Sequence, residues 1–323
     1  MGKTEAAAAA QGLVDVDKDD MIQGVGIGSP EIDMDQVGLD GPGASVLNVY
    51  VAEKLNQEEC RRVLFDDYAV KSVGDENMAL NIFETGIIDT QPHRHKQRPA
   101  PCGISVGHFR ITAGTLGALA TGRKAPRNRR VLMLSNNHVL ANSNQGSFGD
   151  SIIQPGRADG GQSPRDRVAI LEKYVPINFS GGANYVDCAT GWCWHKRVRR
   201  EFIYRSGGGF RLFRVSSNPR AAFRGMIVGK TGRTTQLKAG RVTDTSATIR
   251  VNFGGGRVAL FRDQLAIRGL SGNFSAGGDS GSLIWTWDRA RRPVGLLFAG
   301  GGGVTFGNKI GRVLSALDLR LRT

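Results

Sequence analysis

The sequence lacks the long apolar runs that membrane-spanning helices need. No stretch of its 323 residues approaches the ~18 consecutive apolar residues of such a helix. The opening segment, MGKTEAAAAAQGLVDVDKDD, has no apolar core of the kind found in secretion signals. Ala6 stands where a myristoylation signal has serine or threonine. These absences argue against a membrane partner and predict a cytoplasmic protein.

Cysteine is also scarce, with only Cys60, Cys102, Cys188 and Cys193 in the chain. Their spacing forms no regular disulfide framework, and a cytosolic protein keeps its thiols reduced. Cys188, Cys193 and His195 suggest a metal cluster, but C-x4-C-x-H supplies no fourth ligand in a known pattern. We therefore expect buried structural thiols, no metal and no other cofactor.

Acidic residues are outnumbered, because 29 Asp and Glu face 43 Lys and Arg, for a formal net charge of +14. Residues 1–41 carry nine acids and two bases, so their charge is −7 and that of the remainder is +21. Such a basic body could attract nucleic acid or acidic proteins. No nucleic-acid-binding motif accompanies it. We expect a solvated basic surface, or a docking site for an acidic segment, in preference to a nucleic-acid site.

Glycine, in contrast, is abundant, at 45 residues, which is about twice the ~7% average usage. Its clusters separate β-branched runs and predict a mainly β protein with many tight turns. Before that body, residues 21–92 predict a small α/β domain of β-β-α-β order, whose helix begins with a capping box of Asn56 and Glu59. A disordered acidic tail is expected over 1–20. Regulation, self-assembly into a homo-oligomer and substrate presentation are the roles left open for this domain.

Three short motifs carry candidate chemistry. FSAGGDSGSL (274–283) places Ser280 in a glycine-flanked turn, where the N–H groups of Gly278 and Ser280 can point at one spot, as an oxyanion hole requires. LSNNHVL (134–140) presents His138 where a strand ends, and a strand over 185–189 presents Asp187. Each motif alone also fits a core histidine, a turn aspartate or a plain glycine turn. A second Gly-Asp-Ser, ending at Ser151, is followed by Ile152 and is a poorer nucleophile candidate.

The chain order of histidine, aspartate and serine is that of chymotrypsin-like peptidases. With RPAPCGISVGH (98–108), VGKTGRTT (228–235) and VGLLFAGG (294–301), the motifs resemble trypsin/chymotrypsin-fold serine peptidases. They resemble most the intracellular bacterial branch, and more loosely the plant narrow-leaf trypsin-like proteins. The resemblance implies a mainly β, chymotrypsin-like double β-barrel.

We expect a basic linker at 93–101, a peptidase domain at 102–323, a first barrel at about 102–195, an irregular connector at 196–223 and a second barrel at about 224–323.

The same resemblance implies a serine endopeptidase acting on protein or peptide through an acyl-enzyme. Ser280 would be the nucleophile, His138 the base and Asp187 its orienting partner. Lys230 would pair with Asp279 and support the nucleophile turn. The alternative is a non-catalytic scaffold that uses the same fold and binds acidic partners or nucleic acid through its basic face.

The substrate cleft is expected to be formed by Phe274, Phe298, Ala299 and Gly300. No acidic residue precedes Gly277 where trypsins keep one, so we expect a small or apolar residue before the cleaved bond.

Overall fold

The computed structural model describes residues 22–28, 46–51, 55–66, 80–84, 92–206 and 209–323. Contacts divide the chain into two units, with the boundary between Thr90 and Gln91. The tail predicted at 1–20 lies outside the described residues. In the parts of the chain that are described, no helix is both long and apolar enough to cross a membrane.

The smaller unit contains a three-stranded sheet and one helix. Its elements are β1 (Ile22–Gly28), β2 (Val46–Val51), α1 (Gln57–Asp66) and β3 (Leu80–Glu84). β2 pairs antiparallel with β1 and parallel with β3. The capping box of α1 is confirmed, because the Glu59 amide donates to Asn56 Oδ1 at 2.9 Å and the Asn56 amide donates to Glu59 Oε2 at 3.0 Å. Cys60 and Leu64 of α1 are buried in one cluster with strand residues.

The described residues of the larger unit are mostly strands. The strands are β4 (Ala100–Cys102), β5 (Ser105–His108), β6 (Gly114–Thr115), β7 (Ala118–Gly122), β8 (Leu132–Ser135), β9 (Ser151–Ile153), β10 (Arg167–Tyr174), β11 (Ala183–Asn184), β12 (Ala189–Cys193), β13 (Val198–Ser206), β14 (Gly209–Phe213), β15 (Ile227–Gly232), β16 (Gln236–Asn252), β17 (Val258–Gly269), β18 (Leu283–Thr286), β19 (Pro293–Gly301), β20 (Val304–Lys309) and β21 (Leu319–Leu321). The helices are α2 (Asn137–Leu140) and α3 (Ile310–Leu317), with 3₁₀ turns at Pro92–Arg94, Arg127–Arg129, Arg157–Asp159 and His195–Arg197.

Most of these strands form two curled sheets, and β14, β13 and β4 form a third sheet of three strands. The first has the order β21-β7-β8-β12-β10-β9-β5-β6, and the second has the order β11-β17-β16-β15-β18-β19-β20. The second sheet closes on itself, because β17 also pairs with β20. The expected fold class, a mainly β, chymotrypsin-like double β-barrel preceded by a small α/β unit, is confirmed. Apolar residues of both sheets pack into the main core with α3, whose buried side chains include Val313 and Leu317.

The segment 196–223, expected to be an irregular connector, contains a β-hairpin instead. β13 and β14 pair antiparallel, and β13 pairs in parallel with β4, almost a hundred residues earlier in the chain. The expectation was wrong because arginines interrupt the apolar pattern of VRREFIYRS, in which only some positions, such as Phe202 and Ile203, are fully buried. Pairing with a distant strand, which a local pattern does not reveal, orders the segment.

Residues 93–101, expected to be a linker, lie within the larger unit. Lys96 Nζ is 2.6 Å from Asp166 Oδ1, and the Arg98 guanidinium donates to the backbone carbonyls of Gln154 and Asp166. His93 is fully buried. The segment is therefore a packed part of the fold, because its polar side chains satisfy groups beside β9 and β10.

Candidate active site

Ser280 lies in the turn between β17 and β18, and its side chain is half-buried. The amides of Asp279, Gly281 and Ser282 all donate to backbone carbonyls. Among the described residues no group accepts a hydrogen bond from the amides of Gly278 or Ser280. Gly278 has φ +96°, a conformation that only glycine adopts without strain. The turn thus leaves unused the two N–H donors that the sequence predicted for an oxyanion hole.

A buried ion pair supports this turn from beneath. Lys230 Nζ, on β15, is 3.1 Å from Asp279 Oδ2, and both side chains are fully buried. Asp279 also accepts from the Thr235 hydroxyl at 2.6 Å and the Thr234 amide at 2.8 Å. Burial alone would raise the pKa of Asp279, but the Lys230 charge and these donors outweigh it and lower the pKa. The carboxylate between Gly278 and Ser280 is therefore held ionised and fixed.

His138 and Asp187 are brought together as a hydrogen-bonded pair. His138, in α2, directs Nδ1 to Asp187 Oδ2 at 2.5 Å, and the other carboxylate oxygen accepts from the amides of Asn137 and His138 at 2.7 and 3.2 Å. The Asp187 side chain is fully buried, whereas that of His138 is 22% exposed. Residues 185–189 are not the strand that was expected; Asp187 lies in the loop between β11 and β12, where it can reach α2.

Residues of the second sheet, which sequence reasoning missed, hold the Asp187 loop. The Asp187 amide donates to Asn308 Oδ1 at 2.9 Å, and Asn308 Nδ2 donates to Gln264 Oε1 at 2.7 Å. Both amide side chains are fully buried, in β20 and β17. The only sequence signal was a polar amide inside an apolar strand. The second sheet therefore orients Asp187, which lies in the loop that leads into β12 of the first sheet.

Thr115 joins the turn that contains Ser280 to the strand that precedes His138. Its amide donates to the Ser280 carbonyl at 2.8 Å, and its hydroxyl donates to the Gly278 carbonyl at 2.9 Å. Its own carbonyl accepts from the hydroxyl of Ser135, at the end of β8, at 2.7 Å. Ser280 Oγ lies 3.4 Å from the Phe298 carbonyl and makes no hydrogen bond to the described atoms of His138. Hydrogen bonds between catalytic groups are often formed only once a substrate is bound.

A cleft of about 380 Å³ opens beside Ser280. Of the four residues predicted for the substrate cleft, Phe274, Ala299 and Gly300 line this cleft. Asn273, Ser275, Thr305 and neighbouring glycines also line it, and no lining residue has a charged side chain. Phe298 does not line it. Its side chain is buried against Phe261, with the ring centroids 4.7 Å apart, so only its backbone lies near Ser280.

Comparison with solved structures gives the following neighbours. The chain is similar to Thermobifida fusca protease A and a Nocardiopsis protease, each at 18% identity and TM-score 0.49, over 69% of this chain and 100% of the other. It is similar to Cellulomonas bogoriensis chymotrypsin at 18% identity and TM-score 0.47, over 69% of this chain and 98% of the other. All three are trypsin/chymotrypsin-like serine proteases. This is the family that the motifs resemble, while the intracellular bacterial branch stays a prediction. No model of a known family and no curated protein matches the chain.

The cysteines take no part in this site. All four are buried and free. Burial raises the pKa of Cys188 well above its ordinary value, and it raises that of Cys60 to about 11. Within the described ranges no three His, Cys, Asp or Glu side chains gather as metal ligands do, and Cys188, Cys193 and His195 form no such group.

Proposed function

We propose that the chain is a serine endopeptidase with Ser280 as nucleophile, His138 as general base and Asp187 as its orienting partner. The observation that carries the proposal is the presence of two features in one unit. The turn at Ser280 has two unused amides, those of Gly278 and Ser280, and the buried Asp187 is hydrogen-bonded to His138 at 2.5 Å. Thr115 links the turn to Ser135, three residues before His138. A scaffold that never turns over substrate would have no need of either feature.

In the proposed reaction Ser280 Oγ attacks the carbonyl carbon of the scissile peptide while its proton passes to His138 Nε2. The oxyanion receives hydrogen bonds from the amides of Gly278 and Ser280. His138 then gives the proton to the leaving amine, and the C–N bond breaks to leave an ester on Ser280. Water repeats the sequence and releases the acid. Asp187 keeps the Nδ1–H tautomer in place and stabilises the imidazolium.

The neutral cleft supports a preference for a small or apolar residue before the cleaved bond. Its lining consists of apolar groups, hydroxyls, the Asn273 amide and backbone, so a lysine or arginine side chain would be buried there without a counter-charge. A peptide digest that gives mainly cuts after basic residues would contradict this preference. The cytoplasmic location and control by the smaller unit remain predictions from the sequence.

The nucleophile is tested with a fluorophosphonate probe on the full chain. Wild type should be labelled, and Ser280→Ala should lose the label and about a million-fold in peptide turnover, because the members of a triad act as a unit. Ser151→Ala is the matched control, since Ser151 also follows Gly-Asp but lies in strand β9. Loss of label in the control alone, or an unlabelled but folded wild type, would refute the assignment.

A further inference from the structure

His93 lies between two segments that support the turn at Ser280, one that packs directly against Asp279 and one that reaches Ser280 through Thr115. Its side chain is fully buried, and its Nδ1 is 2.8 Å from the Gly103 carbonyl and 2.9 Å from the Gly232 carbonyl. Since both partners are acceptors, Nδ1 must carry the hydrogen. Nε2 is buried and, among the described residues, has no hydrogen-bond partner.

The Gly232 side of this bridge leads directly to Asp279. A Cβ atom at position 232 would lie 2.5 Å from Asp279 Oδ1 and 2.6 Å from Ser282 Oγ, so the Gly232 backbone packs closely against the carboxylate. The amides of Thr234 and Thr235, just beyond it, donate to Asp279 Oδ1 at 2.8 and 3.2 Å. The position of the Gly232 carbonyl therefore determines the positions of the Thr234 and Thr235 amides relative to Asp279.

The Gly103 side leads to Ser280 by a second route. The Gly103 amide donates to the Leu116 carbonyl at 2.8 Å, and Thr115, the preceding residue, donates to the Ser280 carbonyl at 2.8 Å. Gly103 also packs on Thr231, because a Cβ there would lie 2.4 Å from the Thr231 methyl group. One imidazole N–H thus connects both supports of the turn that displays the Gly278 and Ser280 amides.

We propose that His93 is a positioning residue that holds the oxyanion-hole turn in shape by donating Nδ1–H to the carbonyls of Gly103 and Gly232. The role rests on the proposed peptidase function, and it assigns the segment that begins the larger unit to the support of the site. His93 touches no reacting atom. It acts through Gly232 and Asp279 on one side and through Gly103 and Thr115 on the other.

The neutral tautomer suits this role. Burial lowers the pKa of His93, and a proton added at Nε2 would be buried with no acceptor among the described residues. The groups facing the ring include Lys230, whose charge lowers the pKa of His93, and Asp279, whose charge raises it.

The test compares two substitutions in the full chain. In His93→Asn the amide nitrogen falls near the place of Nδ1 and can still donate to both carbonyls, whereas His93→Leu keeps the bulk and removes the donor. Fluorophosphonate labelling of Ser280 should stay within a few-fold of wild type in the Asn variant. It should slow by roughly ten- to a hundredfold in the Leu variant, as a displaced oxyanion donor would cause. In peptide turnover we expect the loss in kcat rather than KM.

Hydrogen exchange supplies a readout that does not need activity. The amides of Thr234 and Thr235 should exchange faster in His93→Leu than in His93→Asn, while His195→Leu, at an exposed position, should match wild type in every measurement. Equal labelling and equal exchange in folded Asn and Leu variants would overturn the role. If the Leu variant does not fold, His93→Gln, whose donor lies beyond the Nδ1 position, replaces it, and equality with Asn overturns the proposal. An unlabelled wild type would count against the peptidase function, and the exchange rates would still decide the role of His93.

Discussion

At the scale of single residues, the Lys230–Asp279 pair places two opposite charges in the interior of the candidate site. Both side chains are fully buried. Removing one partner of such a pair leaves the other charge in the interior without compensation. Lys230→Met should therefore lower the free energy of unfolding by about 3–5 kcal/mol. It should also slow labelling of Ser280, because Asp279 would no longer hold the turn.

Chemical denaturation and the fluorophosphonate labelling rate measure the two effects of Lys230→Met. Lys124→Met removes the same side chain at an exposed position and should change neither. Full activity and wild-type stability in the Lys230 variant would show that the pair has no supporting role.

Residues differ in how well their surroundings could be predicted from the sequence. Ser280, His138 and Asp187 stand in short motifs in a recognisable order, and the structure pairs the last two. Asn308 and Gln264, which hold the Asp187 loop, could not be predicted, because an amide has no motif and the two residues are 44 positions apart. Phe298 was expected in the cleft, but a strand presents alternate faces, and its ring lies on the core side.

At the scale of elements, the Glu201 carboxylate in β13 forms ion pairs on both sides of the β13–β14 hairpin, with Arg199 in β13 and with Arg214 after β14. Glu201 Oε2 is 3.0 Å from Arg199 Nε, and its Oε1 is 2.9 Å from an Arg214 nitrogen, just beyond β14. Burial would raise the pKa of Glu201, but these arginines and a backbone donor lower it from 4.5 to about 2. A carboxylate with a depressed folded pKa stabilises the fold above pH 4.5, and that stability is lost as the pH falls toward 2.

Glu201→Gln should thus unfold at a lower temperature than wild type at pH 6–7, with a deficit on the order of 1–3 kcal/mol. The gap should close as the pH approaches about 2, where wild type loses the same charge. Thermal unfolding of both proteins is measured across this pH range, and the measurement at the lowest pH is the control. A gap that persists unchanged at the lowest pH would mean that packing, and not the charge, is what Glu201 contributes.

Elements built from local signals could be predicted, and those built from distant pairing could not. The capping box of α1 joins residues three positions apart, so the sequence displays it directly. The sequence pattern predicts two short strands at 258–262 and 264–268, but the structure has the single strand β17, which runs through Asp263 at φ 62°. Lys309 and Arg312, far along the chain, both pair with that aspartate. A residue with positive φ inside a strand cannot be predicted from the local sequence, because its partners are distant in the chain.

At the scale of the whole molecule, each of the two units contains at least one buried cysteine thiol whose reactivity reports its unfolding. Cys60 is buried in the smaller unit, and Cys102, Cys188 and Cys193 are buried in the larger one. Burial raises the pKa of every one of these thiols. Because the thiolate is the reactive form, a disulfide reagent at pH 8 should label none of them in the native protein and all four after denaturation.

The order of labelling during denaturation then separates the units. The smaller unit has a short buried cluster around Cys60, whereas the larger unit packs both sheets and α3 into an extensive core. Burying less apolar surface leaves a small unit marginally stable. Cys60 should therefore react at a lower denaturant concentration than the other three thiols, with Cys60→Ala identifying its signal. Simultaneous reaction of all four would show that the two units unfold as one, and a thiol that reacts in the native protein would contradict the burial on which the argument depends.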